Sequence, residues 1–208
     1  MIVAIDGPAG AGKSSVARAL AARLGFHYLD TGAMYRALTW LALRDGVPLD
    51  DGPGLAALAE SFPVTFGDPE TVSIAGVAVT LAIRESVIDA SVPVVARHPE
   101  VRAVMRQRQR DLGRQGDSVI EGRDIGVVVA PDAEVKVWLV ADPMVRVGRR
   151  HAERADADAG MLAEELMRRD ERDAVNTHRA DDAIEIDTTA LTLDAVIERI
   201  ARLVEAAS

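Results

Sequence analysis

A nearly continuous apolar run, Ile2-Val3-Ala4-Ile5, ends on Asp6 and passes directly into Gly7-Pro8-Ala9-Gly10-Ala11-Gly12-Lys13-Ser14-Ser15. Beyond it, Val16, Leu20 and Leu24 recur at helical spacing up to Gly25, a residue suited to a helix C-terminus. This is G-x-x-x-x-G-K-[ST] in the strand–loop–helix context that gives the pattern its meaning. The glycines let the loop curl so that successive N–H groups turn inward on an anion, and the loop opens onto the positive end of a helix. Lys13 is placed to reach the β- and γ-phosphates of a nucleoside triphosphate, and the Ser14 hydroxyl suits Mg²⁺. A chance Gly-rich turn is the competing reading; strand, spacing and helix together weigh against it.

A phosphate cradle does not name a reaction, because GTPases, motor ATPases, sulfotransferases and small-molecule kinases share it. Guanine reading requires Asn-Lys-x-Asp, and the only lysine outside the loop is Lys136, in Val135-Lys136-Val137. No strand candidate ends in the paired acids of a mechanical ATPase. Small kinases remain. The net charge of −9 disfavours sequence-independent nucleic-acid binding, which needs a positive field. The absence of cysteine removes disulfides, thiol catalysis and cysteine-ligated metals. No run approaches the roughly 18 apolar residues of a membrane span, and Met1–Gly7 has no basic leader, so the expectation is a cytoplasmic protein.

Short β-branched runs alternate with helical patterns, which predicts an α/β fold with a parallel sheet. Five runs qualify: Ile2–Asp6, His27–Asp30, Ser118–Glu121, Val135–Ala141 and Ala183–Asp187. The first and fourth are apolar enough to be covered by helices on both faces. Helical stripes are carried by Met34, Leu38, Leu41 and Ala42, by Val101, Val104, Met105 and Leu112, and by Leu193, Val196, Ile197, Ile200 and Leu203. Pro63–Gly67, Thr71–Ala75 and Val77–Leu81 break the alternation. Strands so closely spaced must be antiparallel, so residues from about 60 to 97 read as a small inserted β subdomain.

In an open parallel sheet ligands bind beyond the carboxyl ends of the strands. The second run ends in Leu29-Asp30-Thr31-Gly32-Ala33-Met34-Tyr35-Arg36. Asp30 or Thr31 can cap the following helix, and Arg36 serves either as a bidentate phosphate clamp or as a solvated helix residue. The third run ends in Glu121-Gly122-Arg123-Asp124-Ile125-Gly126. There Glu121 suits Mg²⁺ through water, Arg123 suits phosphate and Asp124 suits an amino group on a base; a salt-bridged turn is the alternative.

These three segments, in this order and spacing, resemble the bacterial cytidylate kinases. The resemblance runs over essentially the full chain, through Pro131-Asp132-Ala133, Arg169-Asp170-Glu171-Arg172-Asp173 and Asp187-Thr188. It implies a five-stranded P-loop kinase fold with a nucleotide-binding insert at about 60–97 and a helical lid at about 146–174. Residues 1–59, 98–145 and 175–208 would form the core. It further implies transfer of the γ-phosphoryl of MgATP to CMP or dCMP. Gly7–Ser15 would hold ATP, with Lys13, Arg123 and Arg169 catalytic. Arg36 and Arg123 would hold the acceptor phosphate, Asp124 and Arg102 would read cytosine, and Thr31 would line that pocket. Arg169 and Asp173 would reach the acceptor from the lid. The expected partners are these nucleotides alone, with no nucleic acid or membrane, and the chain is expected to be monomeric.

Two positions depart from the family pattern. Pro93 stands where a cytosine-contacting Ser is usual, with Ser91 nearby, and Asn176 stands where another Arg is usual, with Arg179 three residues on. Arg102, Arg106, Arg108, Arg110 and Arg114 form a stripe better read as a helix with one or two ligand contacts than as a nucleic-acid surface, since no aromatic residue accompanies them. Arg146, Arg149, Arg150 and Arg154 supply either charge stabilisation or ordinary surface pairing. His27, His98, His151 and His178 lack metal-ligand spacing.

Overall fold

The computed structural model describes residues 1–67, 71–153 and 158–207, with Glu153 described by its backbone only. Five strands form a parallel sheet: β1 (Ile2–Asp6), β2 (His27–Asp30), β6 (Ser118–Gly122), β7 (Val135–Val140) and β8 (Ile184–Asp187), in the order β2-β6-β1-β7-β8. A second sheet holds β3 (Thr65–Gly67), β4 (Thr71–Ile74) and β5 (Val77–Ala78), all antiparallel. The helices are α1 (Lys13–Leu24), α2 (Thr31–Asp45), α3 (Gly52–Ser61), α4 (Ser86–Ala96), α5 (Pro99–Gly113), α6 (Pro143–Glu153), α7 (Ala159–Asp173) and α8 (Leu193–Ala207). Both sheets expected from the sequence are present. No described helix is long and apolar enough to cross a membrane.

The chain divides into two compact units, Met1–Leu29 with the segment from Leu112 onward, and Asp30–Asp111. In the first, β1 is the central strand, pairing with β6 (Val3 opposite Val119) and with β7 (Val3 opposite Val135). Strand alternation then assigns the faces. Val3, Ile5, Val119, Val135, Val137 and Leu139 point to one core, closed by Val16, Leu20, Ile197 and Ile200 of α1 and α8. Ala4 and Asp6 point the other way. That side of Asp6 meets a π-helical turn, Ile125–Val129, in which Ile125, Gly126 and Val129 are buried and which sequence periodicity does not reveal.

In the second unit α2 packs against α3, α4 and β4. Asp30 caps α2, its carboxylate accepting from the Ala33 N–H at 2.8 Å. Asp51 does the same for α3 through the Gly54 N–H at 3.0 Å. The strand expected over Val77–Leu81 stops at Ala78. The Thr80 hydroxyl accepts the Val72 N–H at 2.9 Å, and a 3₁₀ turn follows at Ala82–Arg84. Residues 86–96, read as part of the β insert, are helical. Ile88 and Val95 are buried there, so packing overrides the β-branched bias of the run and even the presence of Pro93 inside the helix.

Candidate active site

The Gly7–Ser14 loop joins β1 to α1 as expected. Gly7 has φ +149°, and a Cβ there would run into the Leu139 carbonyl of β7. Gly12 caps α1 in the left-handed region at φ +92°. Only glycine satisfies both positions without strain. Lys13 is 6% exposed, and its ammonium donates to the Pro8 carbonyl at 2.8 Å.

Charge converges on Lys13. Burial and the neighbouring Arg123 and Arg169 cations pull its pKa down to about 7, while Glu121 and Asp6 pull the other way. An ammonium whose charge is disfavoured by burial and by neighbouring cations gains from an arriving anion. Ser14 is half-buried and Ser15 exposed at the first turn of α1. Glu121 is 4% exposed and accepts the Tyr28 hydroxyl at 2.7 Å.

Arg123 leaves the end of β6 and ties two elements together. Its Nε donates to Asp173 Oδ2 at 3.1 Å and its Nη1 to the Gly7 carbonyl at 3.4 Å. The Arg169 guanidinium lies 3.8 Å from the same Asp173 oxygen. Lys13, Glu121, Arg123, Arg169 and Asp173, singled out from separate stretches of sequence, therefore meet around one loop. Asp124, also singled out, is buried next to Arg123.

The outward-facing carbonyls of the loop are held from α6. Arg146 donates to the Ala9 carbonyl at 3.0 Å and to Asp170 of α7 at 2.6 Å. Arg149 donates to the Ala11 carbonyl at 3.3 Å and to the Thr188 carbonyl at 2.7 Å. The buried Thr188 hydroxyl donates to the same Ala11 carbonyl at 3.2 Å. Ala9, Val147, Leu162 and Leu166 form a small apolar core beneath this grip. Arg146 and Arg149 are thus neither surface pairs nor isolated charges; Arg154 lies outside the described residues.

Thr31, Arg36 and Arg102 belong to the second unit. Thr31 is buried at the start of α2. Arg36 is not solvated. It pairs with Asp89 of α4 at 2.5 Å and donates to the Ile83 carbonyl at 3.2 Å. Arg102 is half-buried in the first turn of α5. Asn176 sits in a 3₁₀ turn after α7, and Arg179 is engaged by Glu185 and the Ala183 carbonyl, so it does not join the Arg123–Asp173 group. His98 and His178 bond the Leu49 and Val175 carbonyls, structural roles in keeping with their scatter.

Sequence reasoning missed Asp6. It is 4% exposed, and its two carboxylate oxygens accept the N–H groups of Ile125 at 2.9 Å and Gly126 at 2.8 Å. Burial pushes its pKa up to about 6 despite those two donors. An acid at a strand's carboxyl end was the visible signal, but its partners lie 119 and 120 residues away.

For a metal, the described residues contain no group of three or more acidic, His or Cys side chains. One hydroxyl at Ser14 and one carboxylate at Glu121 instead suit Mg²⁺, which keeps most of its waters and is carried largely by phosphate oxygens.

Among solved structures, one of an uncharacterized protein from Eubacterium ventriosum superposes with a TM-score of 0.55 at 14% identity, over 99% of both chains, a likeness of fold alone. Sequence relationships reach further. A cytidylate kinase of an Exiguobacterium strain is 43% identical over 98% of this chain and 96% of its own length. Another from a Geobacillus strain is 45% identical over 97% and 95%. The sequence model of the cytidylate kinase family matches residues 3–206. With the loop, the two-sheet architecture and a match over nearly all its length in agreement, this chain belongs to the cytidylate kinase family.

Proposed function

We propose that the protein transfers the γ-phosphoryl group of MgATP to the phosphate of CMP or dCMP, giving ADP and CDP or dCDP. The observation that carries the reading is the meeting of Lys13, Arg123 and Arg169 at the Gly7–Ser14 loop, with the ammonium pushed toward neutrality by burial and by the other two cations. Such a group binds and neutralises a chain of phosphates.

The attacking atom is an oxygen of an already ionised phosphate, so no side chain has to remove a proton. The chain's task is alignment for in-line transfer and neutralisation of the equatorial oxygens. Residues 7–15 hold the donor, all but Pro8 with a backbone N–H to offer, and Lys13 spans its terminal phosphates. Arg123 and Arg169 draw in the acceptor phosphate and stabilise the charge that develops between the two nucleotides. Asp173 holds those guanidinium groups in register. Arg36 and Arg123 grip the acceptor phosphate, Thr31 lines its pocket, and Asp124 and Arg102 read the base. Ser14 directly, and Glu121 through water, would hold Mg²⁺, which supplies charge neutralisation at the phosphate oxygens when bound. Helices α6 and α7 act as the lid that excludes water from the transfer.

The test is ADP release with MgATP and each of CMP, dCMP, UMP, AMP and shikimate, against a control without acceptor. Turnover with CMP or dCMP about tenfold or more above the rest is expected, the margin that about 1.4 kcal/mol of base discrimination supplies. A preference for another acceptor would overturn the assigned roles of Arg102 and Asp124 and leave the donor site intact.

A further inference from the structure

We infer that Asp6 is a positioning residue for the acceptor side of the reaction, acting through the backbone N–H groups of Ile125 and Gly126. The inference rests on the reading just given for Arg123 and Asp124, and extends it to a side chain bonded to the two amides that follow them.

Three observations carry it. Asp6 is the last residue of β1 and adjoins Gly7, so its main chain is fixed by the register Asp6–Gly122 on one side and Asp6–Trp138 on the other. Its carboxylate spends both oxygens on two successive amides, Ile125 and Gly126, at 2.9 and 2.8 Å. Those amides immediately follow Arg123 and Asp124 and open the π-helical turn Ile125–Val129.

That turn is a conformation the chain rarely adopts unaided. Its first N–H groups have no partner within the turn and would be buried unsatisfied without Asp6. One carboxylate therefore fixes where β6 turns away, and with it the origin of the Arg123 and Asp124 side chains relative to the phosphate loop. The Arg123-to-Gly7 bond at 3.4 Å is a second tie between the same two segments. A neutral acceptor pair would not serve as well, since an ionised carboxylate accepts from both amides with charge assistance.

The experiment compares wild type with Asp6→Asn. Asparagine keeps the shape, satisfies one amide and opposes the other with its own NH₂. Steady-state constants are measured for both substrates, and amide hydrogen exchange is followed at Ile125 and Gly126 by NMR. The expected result is a rise in KM for CMP of about tenfold, the loss associated with one charge-assisted hydrogen bond, with KM for ATP changing less than about twofold. Exchange at the two amides should accelerate while amides of α1 keep their protection. Should Asp6→Asn fail to fold, Asp6→Ser provides a single acceptor without the opposing NH₂ and carries the same expectations.

Equal rises in both KM values, or unchanged exchange at Ile125 and Gly126, would overturn the inference, because Asp6 would then be a general support of the sheet. If a different acceptor proves to be the substrate, the functional reading fails separately. The split between acceptor and ATP constants, measured on that acceptor, still decides the role of Asp6.

Discussion

Arg146 and Asp170 meet at 2.6 Å, and the same guanidinium nitrogen also donates to the Ala9 carbonyl of the phosphate loop. Helix α7 is thereby tied to the Gly7–Ser14 loop through a single side chain of α6. The pair is a coupling device as much as a stabilising one. Removing either partner should loosen the loop from the helix it faces. Arg146→Ala and Asp170→Ala are each expected to weaken ATP binding by about 1–2 kcal/mol, with a coupling of about 1 kcal/mol in a double-mutant cycle read by titration calorimetry.

Lys13→Ala should abolish turnover without unfolding the protein. Deleting a preorganised cation that neutralises transferring phosphate is expected to lower kcat by about 10³-fold or more. Circular dichroism should remain that of the wild type, since the variant relieves the burial of a charge that the fold itself disfavours.

Asp6 makes the stability of the protein depend on pH with an unusual sign for an acid. Its folded pKa of about 6 exceeds the ordinary 3.8, because burial outweighs its two amide donors. Between those values the folded state holds the extra proton, so stability falls as pH rises through the window. The contribution is present in full below the unfolded value and is lost above the folded one. About 3 kcal/mol separates the two limits. Asp6→Asn lacks this titration, so the advantage of wild type over the variant should be larger near pH 4 than near pH 7.5, measured as the difference in unfolding free energy.

Arg36 and Asp89 form a mostly buried pair, their side chains 13% and 12% exposed. Asp89→Ala strands a guanidinium beside the Ile83 carbonyl. The expected cost is about 3 kcal/mol in urea unfolding, with the loss confined to the unit that contains α2 and α4. A CMP-bound sample should recover part of it if Arg36 engages an acceptor phosphate as proposed.

The sequence announced the phosphate loop because its chemistry is local: strand, eight residues and helix are contiguous. The five parallel strands were legible for the same reason, each being a short run with its own pattern. Helix α4 was not. Val87, Ile88, Val92, Val94 and Val95 favour a strand, and only the burial of Ile88 and Val95 makes the helix win. Arg146 was visible as one of several arginines, yet nothing in its neighbours marks Ala9 and Asp170 as its partners. Asp6 and Thr188 act across 119 and 177 residues respectively. Such pairings follow from strand order, which a single sequence does not display.

That strand order also governs when the protein can become itself. Strand β1 is made first yet occupies the centre of its sheet, and its neighbours begin at Ser118 and Val135. A nascent chain must therefore extend to Ser118 before the apolar run Ile2–Ile5 gains its first hydrogen-bonded strand neighbour. Until then only helix α1 can cover the stretch, and every strand pairing that completes its shelter closes a loop of more than a hundred residues. Folding should be slow relative to a helical protein of this length, and the interval between synthesis of β1 and of β6 is the period in which the chain depends most on protection from aggregation.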